Sequence, residues 1–146
     1  MSHSSLNPSM RATVLAAMAS AAHVAGAHTT SAVDMAEFAN LELIATVGAF
    51  GAGASGTIKF EQSQTADFAA SKAIEGRVDV VVVENMPAVV DLNQGELDID
   101  NDYQFVRGVL TATTESITTG LLVLGFDARH SPAEPMAGVV VDTRAS

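Results

Sequence analysis

The chain has no cysteine, no tryptophan and a single tyrosine among its 146 residues. Without cysteine there is no disulfide scaffold, no thiolate metal site and no thiol nucleophile. With one tyrosine and no tryptophan, the aromatic platform that often holds a sugar is missing too. Charge is also scarce, at 16% of residues against a usual ~25%. Its balance is lopsided, with 7 Lys+Arg against 17 Asp+Glu and a formal net charge of −10. Binding to nucleic acid through phosphates needs a Lys/Arg patch, so DNA and RNA are not expected partners.

What is abundant is small or β-branched: 25 Ala, 17 Val, 12 Thr and 11 Gly. At 48% hydrophobic residues the chain can bury enough surface to offset chain entropy, and its length suits one domain. The longest stretch without a formal charge runs from Ala12 to Val33, but its apolar part is mostly Ala, interrupted by Ser20, His23, His28 and Thr29–Ser31. A membrane-spanning helix needs about 20 predominantly apolar residues, so none is expected there. Arg11, Ala12–Met18 and an Ala-Ser-Ala or Ala-Gly-Ala site form a weak version of a secretory signal, with a polar leader before the arginine and few strong apolar residues.

Period-2 patterns dominate. Met10–Ala25 reads as either an Ala-rich helix or a strand. Strands are expected around His28–Ala36, over Leu41–Val47 and over Thr57–Ser63, the last two forming a hairpin around the Gly-rich turn Gly48–Gly56. A β-branched run at Val78–Val83, a short one at Ala88–Leu92, an alternation at Leu97 and Ile99, and long strands at Tyr103–Thr114 and Ile117–Ala128 follow. Gln64–Gly76 reads as loop or a short helical turn. Strand signals every 8–12 residues or so predict an all-β, single-domain β-sandwich, jelly-roll-like. Residues 10–129 form the sandwich in this reading, flanked by an N-terminal arm (1–9) and a C-terminal tail (130–146).

No pattern carries catalytic chemistry. Gly51–Gly56 matches G-x-G-x-x-G, but the residues after it alternate like a strand, and phosphate binding needs a helix N-terminus there. Asp98–Asp102 begins like a calcium loop, yet Tyr103 stands where glycine is required and Val109 where a bidentate glutamate is required. Carboxylates alternating on a strand and its turn account for that spacing, with a cation between subunits as the sharper alternative. His3, His23, His28 and His130 lack zinc-ligand spacing. The expectation is a protein with no catalytic residues, no metal and no cofactor. Arg107 lies inside an apolar run, where an ion pair is the ordinary reading and contact with another chain the sharper one. Both long C-terminal strands are apolar on both faces, with Leu121 and Val123 against Leu122, Leu124 and Phe126, so one face is either covered or meets another subunit.

Tyr103-Gln104-Phe105-Val106-Arg107-Gly108-Val109-Leu110-Thr111, followed by Leu124-Gly125-Phe126-Asp127-Ala128-Arg129-His130-Ser131-Pro132, resembles segments of a family of small virion proteins of tailed bacteriophages. Asn40–Ser63, with Phe60-Glu61-Gln62-Ser63, is similar to that family's apolar hairpin, although Gln64–Phe68 replaces its Asp-Gly turn. The resemblance spans residues 40–132. It implies a head decoration or cement protein on the capsid exterior, made in the host cytoplasm, which binds the major capsid protein between capsomers and associates with its own copies, as a trimer. It implies no enzyme activity, and neither nucleic acid nor membrane is an expected partner. The residues expected at contacts are Arg11, Gly51, Gly53, Arg107, Arg129, His130 and Pro132. A phage tail tube or completion subunit is the alternative in the same setting; a secreted carbohydrate- or surface-binding module is the alternative of another class.

Overall fold

A computed structural model describes residues 8–129 and 133–141. One helical turn, Pro8–Arg11, leads into ten strands: β1 (Ala12–His23), β2 (Gly26–Thr29), β3 (Val33–Asp34), β4 (Phe38–Phe50), β5 (Ser55–Ser63), β6 (Ser71–Ala73), β7 (Val80–Val81), β8 (Ala88–Asn93), β9 (Phe105–Thr113) and β10 (Ile117–Ala128). They form two antiparallel sheets. Sheet A has the order β1-β10-β4-β8; sheet B has the order β2-β9-β5-β6, with β3 beside β9 and β7 beside β5. The fold is an all-β sandwich, as the strand periodicity predicts.

The pairing is nested. Setting aside the two-residue strands β3 and β7, β1 pairs with β10, β2 with β9, β4 with β8 and β5 with β6. The chain is thus doubled on itself like one long hairpin and then wound into two layers. Alternate residues of facing strands fill the space between: Leu41, Leu43, Ala45, Leu121 and Val123 from sheet A meet Ile58, Phe60, Val106 and Leu110 from sheet B. The approach is close where Leu43 packs over Gly108 of β9 and where Ile117 of β10 packs over Gly56 of β5.

Several local expectations change. The ambiguous Met10–Ala25 segment becomes β1, because pairing along β10 outweighs the helical preference of its alanines. The single strand expected at His28–Ala36 divides into β2 and β3 at Thr30, whose N–H donates to the Gly108 carbonyl and whose Oγ1 accepts from the Gly108 N–H. The valine run Val78–Val83 yields only two residues of strand, since Val82 turns into the core while Val78, Val81 and Val83 face solvent. The Leu97–Ile99 alternation becomes a 3-10 turn, Ile99–Asn101, closed by Asp102 in the left-handed region at φ 64°. Where a loop or helical turn was expected in Gln64–Gly76, Ser71–Ala73 adds a short strand to β5.

Candidate interaction surface

The residues expected at contacts are spread over the molecule. Arg11 and Arg129 are exposed and share one end of sheet A, where β1 begins opposite the close of β10. The Arg129 N–H donates to the Glu37 carbonyl. Gly51 and Gly53 lie at the opposite end, in the turn between β4 and β5. Each is glycine for a local reason: a Cβ on Gly51 would stand 2.7 Å from the Glu115 Cβ, and Gly53 has φ +76°. The Gly-rich loop is followed by β5 and not by a helix, so no helix terminus faces it. His130 and Pro132 lie outside the described residues, as does most of the expected N-terminal arm. Of the expected tail, Ala133–Val141 is described, and its Met136 N–H donates to the Val14 carbonyl of β1.

Arg107 takes its ordinary reading. On the outer face of sheet B its Nε donates to Glu61 Oε1 at 2.6 Å, and its guanidinium lies 4.3 Å from the Phe68 ring centroid. The acidic segment is likewise partly neutralised within the chain. Arg77 holds both oxygens of Glu96, and Lys72 pairs with Asp98. His23 and His28 are brought together by the β1–β2 corner, ring centroids 4.9 Å apart, each Nε2 at hydrogen-bond distance from a backbone carbonyl. Among the described residues no group of three or more His, Asp or Glu is arranged to hold a metal, and no helix is long and apolar enough to cross a membrane.

The two outer faces of the sandwich differ in chemistry. That of sheet B carries Thr57, Lys59 and Glu61 on β5 beside Arg107, Thr111 and Thr113 on β9, with Val109 covered at 4% exposure. That of sheet A is largely aliphatic. Register places Val89, Ile44, Leu122 and Ala17 in one row across β8, β4, β10 and β1. The next outward row reads Asp91, Glu42, Leu124 and Val14, and the one beyond it Asn93, Asn40, Phe126 and Ala12. Val89 is 52% exposed, while Ile44, Leu122, Leu124 and Phe126 are half-buried by their neighbours on the sheet. The border is polar: Asn93 donates to Asn40, and Asn40 to Asp127. An aliphatic sheet face with a polar rim is the usual form of a protein–protein contact surface.

The sequence reading missed this surface as a set, although it noted that Leu122, Leu124 and Phe126 needed a cover. Ile44, Val89 and the carboxylates join them only through the long-range pairings of β4.

Glu42 stands directly opposite Asp91 in that face. Burial first, then Asp91 beside it, holds the Glu42 pKa above the usual carboxylate value. A carboxyl with a raised native pKa binds its proton more tightly folded than unfolded. Its penalty is therefore absent below the unfolded pKa and complete above the folded one. Glu42→Gln is accordingly expected to stabilise the protein at neutral pH, with the gain vanishing as pH falls below about 4.3. Urea midpoints at pH 7 and pH 4 check this; an equal gain at both would contradict it. In comparisons with known proteins, the chain matches no family model, no curated protein and no solved structure.

Proposed function

We propose that the chain is a structural virion protein that decorates the outside of a capsid, binding between capsomers and cementing the shell. The observation that carries this reading is the aliphatic outer face of sheet A, set against the threonine- and charge-bearing outer face of sheet B. A sandwich with one such face works by contact. The nested pairing supports the setting, because first strand with last and second with next-to-last is the winding of a jelly roll, an architecture used by viral capsid and lectin domains. Fold alone does not fix function. The resemblance of residues 40–132 to small tailed-phage virion proteins is the second support. In this reading the net charge of −10 favours a basic patch on the major capsid protein, and the chain acts as a trimer in the virion, without enzymatic chemistry.

The test is co-sedimentation with shells that lack this protein. Saturable binding at a fixed copy number and a shell more resistant to heating are expected. Leu122→Asp should abolish binding, while Thr111→Asp on the opposite face should leave it unchanged. No binding to shells overturns the reading, and assembly of the isolated protein into rings or tubes would move it to the phage tail.

A further inference from the structure

Two carboxylates directly opposite one another on the same sheet face repel. Glu42 and Asp91 hold that position at the border of the aliphatic surface, between the Val89–Ile44 row and the Asn93–Asn40 row, with Leu124 beside Glu42. The ion pairs among the described residues lie elsewhere, at Lys72–Asp98, Arg77–Glu96 and Arg107–Glu61. Arg77 reaches only the backbone of Asp91, donating from Nη2 to its carbonyl while its guanidinium holds Glu96. The Glu42 pKa, raised by burial and by Asp91, records the same pairing, which Arg77 on the far side of Asp91 offsets only in part. A groove along the face is lined by Asn40, Glu42, Asp91, Asn93 and Phe126, so both carboxylates open onto it, with the Arg77–Glu96 pair at its edge.

We propose that the outer face of sheet A docks on a protein surface of complementary charge, an aliphatic patch presenting a lysine or arginine that enters between Glu42 and Asp91. The inference rests on reading sheet A as the contact face and adds the chemistry of its partner. Charge decides against a second copy as the occupant. Stacking two such faces would bring two carboxylate pairs into one contact with no cation from either copy between them. A basic surface neutralises the pair, and covering the Val89–Ile44 row and Leu124 beside it screens the contact from water and salt on that side, where a charge contact gains strength.

The defined probe is an amphipathic peptide of leucine and lysine, titrated against four forms of the full chain: wild type, Glu42→Gln/Asp91→Asn, Ile44→Ser/Leu122→Ser, and Asp100→Asn/Asp102→Asn. The last removes the same charge from an exposed turn away from the face. Wild type and the turn variant are expected to bind alike, with affinity falling as salt is raised. Glu42→Gln/Asp91→Asn should bind at least tenfold more weakly, and Ile44→Ser/Leu122→Ser should also lose binding. Undiminished binding by Glu42→Gln/Asp91→Asn, with loss in Ile44→Ser/Leu122→Ser, overturns the basic-partner inference and leaves the contact face standing. Equal binding by all four forms overturns both. A native-mass measurement adds an independent check. Without its carboxylates the aliphatic face should let copies stack, so Glu42→Gln/Asp91→Asn should self-associate at least tenfold more tightly than wild type; no change in mass counts against the carboxylates as the barrier to stacking.

Discussion

Leu43→Ala is expected to cost about 3 kcal/mol of folding stability, within the range for emptying a packed leucine site. Leu43 has no exposed surface. It sits on β4 with Val123 on one side and Val90 on the other. Across the gap between the sheets its Cδ1 would lie 2.9 Å from a Cβ placed on Gly108. Glycine on β9 is therefore what admits the leucine at this point. Gly108 is also fixed in place, since it exchanges hydrogen bonds with Thr30 through both its N–H and its carbonyl. Gly108→Ala in the wild-type background forces Leu43 to move within a filled core and should cost about 1 kcal/mol. In the Leu43→Ala background the same methyl enters the vacated space. The double variant should accordingly be more stable than the sum of the single losses by about 1 kcal/mol or more. Urea denaturation of the four forms, compared at constant m-value, gives the coupling. Simple additivity would mean that the two positions do not share one volume.

The reach of the sequence follows from the range of the interactions involved. Alternation along Leu41–Val47 and the apolar run of Ile117–Ala128 are local, and they located β4 and β10 because each must be buried on at least one face. The glycine-rich turn was legible for the same reason, but the hairpin expected around it does not form: β4 pairs with β10 and β8 in sheet A and β5 with β9 and β6 in sheet B, so the turn carries the chain from one sheet to the other. β2 and β3 were not legible as two strands, because the interruption at Thr30 is enforced by Gly108, 78 residues away. The valines of Val78–Val83 look like a strand by composition, yet only Val80 and Val81 form strand, opposite Ile58 and Thr57 of β5, before Val82 donates to the Gly56 carbonyl. The candidate surface shows the same limit. Leu122, Leu124 and Phe126 were visibly surplus to a single core, but Glu42 meets Asp91 only once β4 lies beside β8. A face assembled from four strands is written in the pairing order, which period-2 patterns do not contain.

Arg107→Met is expected to cost about 2 kcal/mol, below the ~3–5 kcal/mol seen when one partner of a fully buried pair is removed. The smaller value reflects residual exposure of the side chains, 25% for Arg107 and 13% for Glu61. The loss comes mainly from Glu61. Its carboxylate accepts from Arg107 Nε at 2.6 Å, and without the guanidinium it would be left largely desolvated and uncompensated. Replacing both residues, as Arg107→Met/Glu61→Leu, removes that penalty and should recover most of the stability, because a well-packed apolar pair substitutes for a buried ion pair at little cost. Arg107→Lys tests a different element. The guanidinium plane stacks 4.3 Å from the Phe68 ring centroid while its edge meets Glu61, and an ammonium cannot do both. Lysine should retain the charge pairing but lose part of the Phe68 contact, giving a cost of about 1 kcal/mol. Equilibrium unfolding of Arg107→Met, Glu61→Leu, the double variant and Arg107→Lys separates these terms. If the double variant is no more stable than Arg107→Met, the loss lies in packing around Phe68 and not in a stranded carboxylate. The outcome bears on the sandwich as a whole. An Arg107 whose charge is used within sheet B leaves that face polar but satisfied.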